Sequence, residues 1–426
     1  MFYKPKMKIL GYKDDLSKVI GRKSIGYADA IKTVSDIIAK VKSDGDKALL
    51  QYAKDFDKSN ITAIKVSQQE IDEAYAQVGQ DFINALTQSK KNLEKVHKKQ
   101  LEGIAKKWSV KVEPGIEVGE RFTPIESVGC YVPGGLAPYP STVLMTCIPA
   151  KIAGVKRIVV SSPPKIPPQV LAACKICQVD EVYQVGGAQA VAALAYGTET
   201  VRPVNKVVGP GNKFVTAAKM QCYGRIDIDM PAGPSEILVI ADESANPDFI
   251  AWDVLAQAEH DPNAQCVLTT TSKDLAEKVF AIVEARSQEL LRKDIVKKSM
   301  ENIHAIIVKN LDEAVEFAND YAPEHLEVMA KNPEKIAGKI KNAGAIFIGE
   351  YAPVAAGDYA SGGNHVLPTS GAAKYASQLN VRDFLKSTST QKIERKGLEK
   401  IAKTIKTISR LEGLEAHGKS VEERLK

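Results

Sequence analysis

No run of eighteen apolar residues occurs anywhere in the 426-residue chain, so no segment has the makings of a membrane-crossing helix. The opening, MFYKPKMKILGYKDD, carries neither the apolar stretch nor the small-residue cleavage site of a signal peptide, and a cytoplasmic protein is expected. Cysteine is sparse. Six residues, Cys130, Cys147, Cys174, Cys177, Cys222 and Cys266, are scattered too widely for a disulfide scaffold and are expected to be reduced thiols. Cys174 and Cys177 form a Cys-x-x-Cys with no second pair, which leaves a structural zinc site two ligands short and favours two helix residues packed in the core. Gly-x-Gly-x-x-Gly is absent, and so is His-Glu-x-x-His. Nor is there a large excess of charge of one sign: the net charge of +6 suits small anionic molecules without requiring nucleic acid.

What is present is a long chain, 44% apolar, which suggests two larger domains with smaller attachments. Residues 24–108 read as helices: Ser67 and Glu70 form a capping box, after which Ile71, Ala74, Tyr75 and Val78 recur at helical spacing. The lysine-rich run from Lys90 to Lys107 is interleaved with Leu93, Val96 and Leu101, which fits a solvated helix face better than a nucleic-acid patch. From Val110 onward, short β-rich runs alternate with helical ones, the signature of parallel sheets wrapped by helices. The rhythm occurs twice, before and after Pro231, and RIVVSSPP resembles CVLTTTSK, so a duplicated α/β unit is expected. Beyond about Asn380 the rhythm stops, and Leu398, Ile401, Ile405 and Ile408 mark an apolar stripe on a basic helix that must be buried somewhere.

Three groups of residues carry possible chemistry. Glycine turns at Pro133-Gly134-Gly135, Gly186-Gly187 and Gly209-Pro210-Gly211-Asn212 follow β-like runs and offer backbone N–H groups to an anion or nucleotide. The histidines cluster late, with His260, His304, His325, His365 and His417 in the last part of the chain. Gln257 and His260 lie three apart near the end of one helix, and Asp358 and His365 flank a glycine-rich loop. Imidazole and carboxylate suit zinc, although spacing alone leaves a metal role open and glutamine is an unusual ligand. Glu324-His325, after Pro323, reads as a helix start. There the helix dipole disfavours imidazolium and keeps His325 available as a base, with Glu324 as a second base; the blander reading is a dipole-complementing glutamate beside an exposed histidine.

The segments GCYVPGGLAPYPSTVLMT, QVGGAQAVAALAYGTE, VVGPGNKFVTAAK, IDMPAGPSEILVIAD, AQAEHDPNAQ, APEHLEV, GDYASGGNHVLPT and EGLEAHGKSVE together make almost the whole chain resemble the histidinol dehydrogenase family. The resemblance implies oxidation of L-histidinol through L-histidinal to L-histidine by two NAD, with one zinc per subunit held by Gln257, His260, Asp358 and His417. It implies that Ser235, Gln257, His260, His325, Asp358, His365, Glu412 and His417 surround the substrate. Glu324 and His325 are implied as catalytic, and Tyr131, Gln189 and Asn212 as NAD contacts. The fold it implies is two related, incomplete Rossmann-like parallel-sheet domains, one inserted in the other, with a helical N-terminal region and a small helical tail exchanged in a homodimer. The corresponding boundaries are an arm at 1–23, a first α/β domain at 24–125 and 236–378, an inserted NAD-side domain at 126–235 and the tail at 379–426. The chain departs from the family at Val354, where glutamate is frequent, so no role of that glutamate carries over. Two competing classes are a zinc hydrolase using Glu324 and metal-bound water, separated by its independence of NAD, and a basic nucleic-acid-binding protein, which leaves the glycine turns without a purpose.

Overall fold

The computed structural model describes residues 7–22, 27–134, 137–231 and 233–426. Residues 1–6 of the expected arm, the expected boundary at residue 24 and Gly135 of the first glycine turn lie outside the described residues. In chain order come β1 (Lys8–Gly11), α1 (Ser17–Ile20), α2 (Tyr27–Asp55), α3 (Gln68–Gln77), α4 (Gln80–Glu102), β2 (Lys107–Glu113) and β3 (Ile116–Pro124). A first α/β run follows: β4 (Ser127–Tyr131), α5 (Pro140–Ala153), β5 (Arg157–Ser161), α6 (Pro168–Cys177), β6 (Glu181–Tyr183), α7 (Gly187–Tyr196), β7 (Lys206–Val208), α8 (Lys213–Cys222) and β8 (Asp227–Ile228). A second comprises β9 (Glu236–Ala241), α9 (Pro247–Ala258), β10 (Gln265–Thr270), α10 (Lys273–Arg286), α11 (Lys293–Ser299), β11 (Ile303–Ile307), α12 (Leu311–Tyr321), β12 (His325–Met329), α13 (Pro333–Ala337), β13 (Ala345–Ile348) and α14 (Val354–Tyr359). The chain closes with β14 (Leu385–Ile393), α15 (Arg395–Leu411) and α16 (Glu415–Leu425).

The two runs build two parallel sheets, ordered β6-β5-β4-β7-β8 and β1-β11-β10-β9-β12-β13. Apart from the added edge strand β1, both place their own strands in the order third, second, first, fourth, fifth, which is five strands of the doubly wound pattern. The registers coincide as well. Ser127 pairs with Arg157 as Glu236 pairs with Gln265, and Lys206 pairs with Val128 as His325 pairs with Ile237. RIVVS and QCVLTT are the second strands of their units, so the expected duplication is present in topology and register. Strands such as EILVIA are buried along their whole length because helices cover both faces. In β9, Ile237, Val239 and Ala241 pack towards α9, α10 and α11, while Leu238 and Ile240 pack towards α12 and α13.

The helical opening differs in its allegiance from the expected division, which joined residues 24–125 to 236–378. α2 packs on α7 and α8, α3 on α6 and α4 on α5, so these helices bury their apolar faces against the second α/β unit's neighbour, the sheet of residues 127–228. The arm, in turn, is no free extension: Lys8–Gly11 pairs with His304–Ile307 as an edge strand. The expected Ser67–Glu70 capping box is formed, and Cys174 and Cys177 are buried free thiols.

The tail is only partly helical, a correction to the expected helical segment from residue 379. Leu385–Ile393 pairs antiparallel with β3, which pairs with β2, giving a third sheet. LKSTSTQKI has no apolar alternation to announce a strand, but its hydroxyl residues tolerate extended backbone on a surface ribbon. On β2, Trp108, Val110 and Val112 are exposed on one side, and so are Ile393, Ile408, Leu411 and Leu414 on β14, the terminal helices and the turn between them.

Candidate active site

Ser235, Gln257, His260, Glu324, His325, Asp358 and His365 lie about the amino-terminal edge of the sheet that contains β9 and β12. His325 is the first residue of β12 and faces α9; it begins a strand, not a helix, which corrects the expected helix start. The helix dipole therefore has no part in its state. Burial pushes His325 down to about 4, and the nearby His260 and His365 add to this. Its Nδ1 lies 2.9 Å from the carbonyl oxygen of Glu236. A carbonyl only accepts, so Nδ1 carries the proton and Nε2 keeps its lone pair. That Nε2 is buried without a hydrogen-bond partner, 3.9 Å from Asp358 Oδ1.

Glu324 is buried beside it. Its Oε2 accepts the backbone N–H of Glu236 at 2.8 Å and lies 3.5 Å from His325 Nδ1. Burial drives its carboxyl well above the ordinary value, the Glu236 N–H opposes this, and the charges of Glu236 and Asp358 reinforce it. The blander reading of an exposed histidine beside a dipole-complementing glutamate is thereby excluded.

Helix ends bring the rest. Gln257 occupies the last turn of α9 and His260 follows two residues beyond the helix; Ser235 immediately precedes β9, its carbonyl accepting Gln265 N–H. Gln257 Nε2 is buried without a partner, and burial lowers His260. Asp358, on α14, is raised to about 7 by burial alone. Partly exposed His365 is pushed down to about 4; its Nδ1 lies 3.3 Å from the Asp358 carbonyl and its Nε2 3.5 Å from Thr142 Oγ1 in the first turn of α5.

These side chains fit a divalent cation. A buried carboxyl held near neutrality without a cationic partner, neutral imidazoles and an orphaned carboxamide are donors whose burial is costly until a cation arrives. Within one chain the set is incomplete. Among the described residues no group of three or more His, Cys, Asp or Glu is arranged to hold a metal ion, and His417, like Glu412, is exposed on the terminal hairpin.

Gly134, the turn Gly186-Gly187 and the turn from Gly209 to Asn212 lie at the carboxyl-terminal edge of the other sheet. β4 and β7 are neighbours from which the chain departs in opposite directions, so the crevice between them is a topological switch point. Tyr131 ends β4, buried, its hydroxyl accepting Gly187 N–H at 3.0 Å, and burial pushes it up to about 12. Gln189 lies buried in the first turn of α7, and Asn212 caps α8 by accepting from Phe214 and Val215 N–H. Gly209 has φ +114°, and a Cβ there collides with the Tyr131 carbonyl oxygen. Thr142, reaching His365 from α5, joins this edge to the amino edge of the sheet that contains β9 and β12.

Sequence reasoning missed the groups that brace the site. Lys219 and Asp229, both fully buried, pair with each other, and they hold the Gly209 carbonyl at 3.0 Å and its N–H at 2.7 Å. Glu327, on the same face of β12 as His325, shares a carboxyl contact with Asp253 of α9 and accepts Val354 N–H at 2.9 Å, linking three elements of the site. A charged residue inside an otherwise apolar strand or helix was the available signal.

A nucleotide-type crevice on one parallel sheet, meeting a buried acid–base pair on its duplicate, defines an α/β dehydrogenase architecture. The sequence profile of the family described as histidinol dehydrogenase matches residues 21–425. Histidinol dehydrogenases of Methanosarcina mazei and Methanocaldococcus jannaschii are 48% and 49% identical, over 96% and 97% of this chain and 95% and 97% of theirs. The crystal structure of histidinol dehydrogenase from Elizabethkingia anophelis superposes with a TM-score of 0.93 at 38% identity, covering 100% of this chain and 99% of that one. The chain belongs to the histidinol dehydrogenase family.

Proposed function

We propose that this protein oxidises L-histidinol through L-histidinal to L-histidine, as a step of histidine biosynthesis in the cytoplasm. The observation that carries the reading is the state of His325: fixed at Nδ1 by Glu236, with an unpartnered Nε2 lone pair in a buried edge that adjoins the nucleotide-type crevice. Tyr131, Gln189 and Asn212 would hold NAD at the crevice, where it would supply the hydride acceptor. Gln257, His260, Asp358 and, from the partner copy, His417 would hold a zinc ion, which would supply a Lewis acid to anchor the substrate.

His325 Nε2 takes the proton of the substrate alcohol as the carbon loses hydride, leaving the aldehyde. Glu324, raised by burial into a stronger proton acceptor, then takes a proton from the water that adds to the aldehyde, and His325 again receives the hydroxyl proton as the hydrated carbon is oxidised to the carboxylate. Ser235 and His365 line the substrate's polar surroundings and fix its orientation.

The active protein is a homodimer in which Glu412 and His417 of each tail complete the partner's site. Exposed Trp108, Val110, Val112, Ile408, Leu411 and Leu414 leave an apolar surface around the terminal hairpin that a second copy covers. The direct test is to supply histidinol and NAD to the purified protein and count NADH formed per histidinol consumed. A value near two supports the double oxidation; no NADH overturns it.

A further inference from the structure

Both members of the acid–base pair hang from the backbone of one residue. Glu236 gives its N–H to Glu324 Oε2 at 2.8 Å and its carbonyl to His325 Nδ1 at 2.9 Å. Its own side chain is nearly fully buried and held by three hydrogen bonds from two residues. Arg22 grips it with Nε–Oε1 at 2.6 Å and Nη2–Oε2 at 2.9 Å, and the Ser370 N–H donates to Oε1 at 2.9 Å. Arg22 is itself fixed: Nη1 donates to Ile20 O at 3.0 Å, Nη2 to Tyr321 O at 2.7 Å, and its guanidinium stacks 3.9 Å from the Tyr321 ring centroid.

The duplicate sheet shows which part of this is required by the fold. At the equivalent strand crossing, Ser127 stands for Glu236, Asn205 for Glu324 and Lys206 for His325. Ser127 N–H donates to Asn205 Oδ1 at 3.0 Å, the same bond that Glu236 makes to Glu324, but the Ser127 side chain is uncharged and turns to the same Asn205 oxygen at 2.9 Å, while the arginine–glutamate pair of that sheet, Arg157 with Glu181, belongs to β5 and β6. The bond across the strand crossing therefore forms without an ion pair on its first-strand residue. A pair placed on that residue is particular to the copy that carries the acid–base groups.

We infer that Arg22, acting through Glu236, is a positioning residue for Glu324 and His325, which makes the N-terminal arm part of the active site. Two fork-like hydrogen bonds and a stacked guanidinium remove the rotational freedom of Glu236, and with it the play in both acid–base groups. Lysine cannot reproduce the fork.

The inference rests on the proposed dehydrogenase activity, which wild-type NADH formation checks independently. Arg22→Ala is expected to lower the single-turnover rate of NADH formation from histidinol by about tenfold or more, with the KM values for histidinol and NAD within about threefold of wild type. Arg22→Lys should fall between the two. Methylguanidinium in the millimolar range should raise the rate of Arg22→Ala saturably, whereas N-methylurea, of similar shape but uncharged, should not. A wild-type rate in a folded Arg22→Ala protein overturns the inference, as does equal response to both additives. If Arg22→Ala fails to fold, Arg22→Lys decides: a wild-type rate in that variant overturns the inference and a reduced rate at unchanged KM supports it.

Discussion

His325 Nε2 stands 3.9 Å from Asp358 Oδ1, too far for a hydrogen bond, although the nitrogen is buried and has no other partner. The unpaired Nε2 is therefore free to accept the proton of a hydroxyl brought beside it. His325→Asn should slow oxidation of both histidinol and added histidinal by roughly 10²–10⁴-fold. Glu324→Gln should impair histidinal oxidation more, because water must be activated only after the aldehyde exists. Equal impairment of the two substrates in the glutamate variant, measured by stopped-flow NADH formation, would remove the distinction between the roles.

Asp358 gives the metal reading a measurable consequence. With no thiolate among the proposed ligands, a chelator should strip the metal, abolish turnover and allow zinc to restore it. Asp358→Asn should weaken zinc binding by more than the roughly tenfold that loss of a supporting partner can cost. Full activity in protein shown by elemental analysis to be metal-free would refute this.

The nucleotide crevice depends on Gly209, whose positive φ and contact with the Tyr131 carbonyl exclude a side chain. Gly209→Ala should raise the KM for NAD by roughly tenfold while changing that for histidinol little, since strain of this kind costs about 1–3 kcal/mol. Steady-state kinetics with each substrate varied in turn reads the difference, and a parallel rise in both KM values would contradict it.

His304 offers a pH test away from the chemistry. It sits in β11 opposite Lys8, and burial, aided by that lysine, pushes it down to about 4 from the ordinary 6.5. The unfolded chain therefore takes up the proton first, so the stability that this residue contributes is full above about pH 6.5 and is lost as pH falls towards 4. The loss is at most about 3 kcal/mol. His304→Leu should flatten the dependence of Tm on pH across that window; an unchanged slope would show that His304 does not contribute.

The shared site can be tested by complementation. His260→Asn damages the body and His417→Asn the tail, and each variant alone should be nearly inactive. Refolded together in equal amounts, random pairing makes half the dimers mixed, and each mixed dimer regenerates one intact site, so about a quarter of all sites should work. Activity no higher than the average of the parents, with mixed dimers present, would assign each tail to its own chain.

The features visible in the sequence were those written in local pattern. Buried parallel strands such as RIVVS and EILVIA, the capping box at Ser67, and glycine turns at strand ends all depend on near neighbours. Glu324-His325 was legible as a pair, but its setting was misread. Pro323 suggested a helix start, whereas α12 ends at Tyr321 with Ala322 in the left-handed region and the chain passes directly into β12. Burial, not a dipole, then sets the state of His325. The strand Leu385–Ile393 escaped notice because it is specified by its partner β3 rather than by its own alternation. Arg22 and Glu236 escaped for the same reason: their meaning lies in a contact between distant parts of the chain.

The pairing of β14 with β3 also fixes an order of events. Leu385 meets Pro124 only after both parallel sheets have left the ribosome, and the terminal hairpin follows β14 directly. Closing so long a loop is slow compared with forming the local α/β units. A newly made chain can therefore complete both parallel sheets before β14 joins β3, so the third sheet is the last of the three to close.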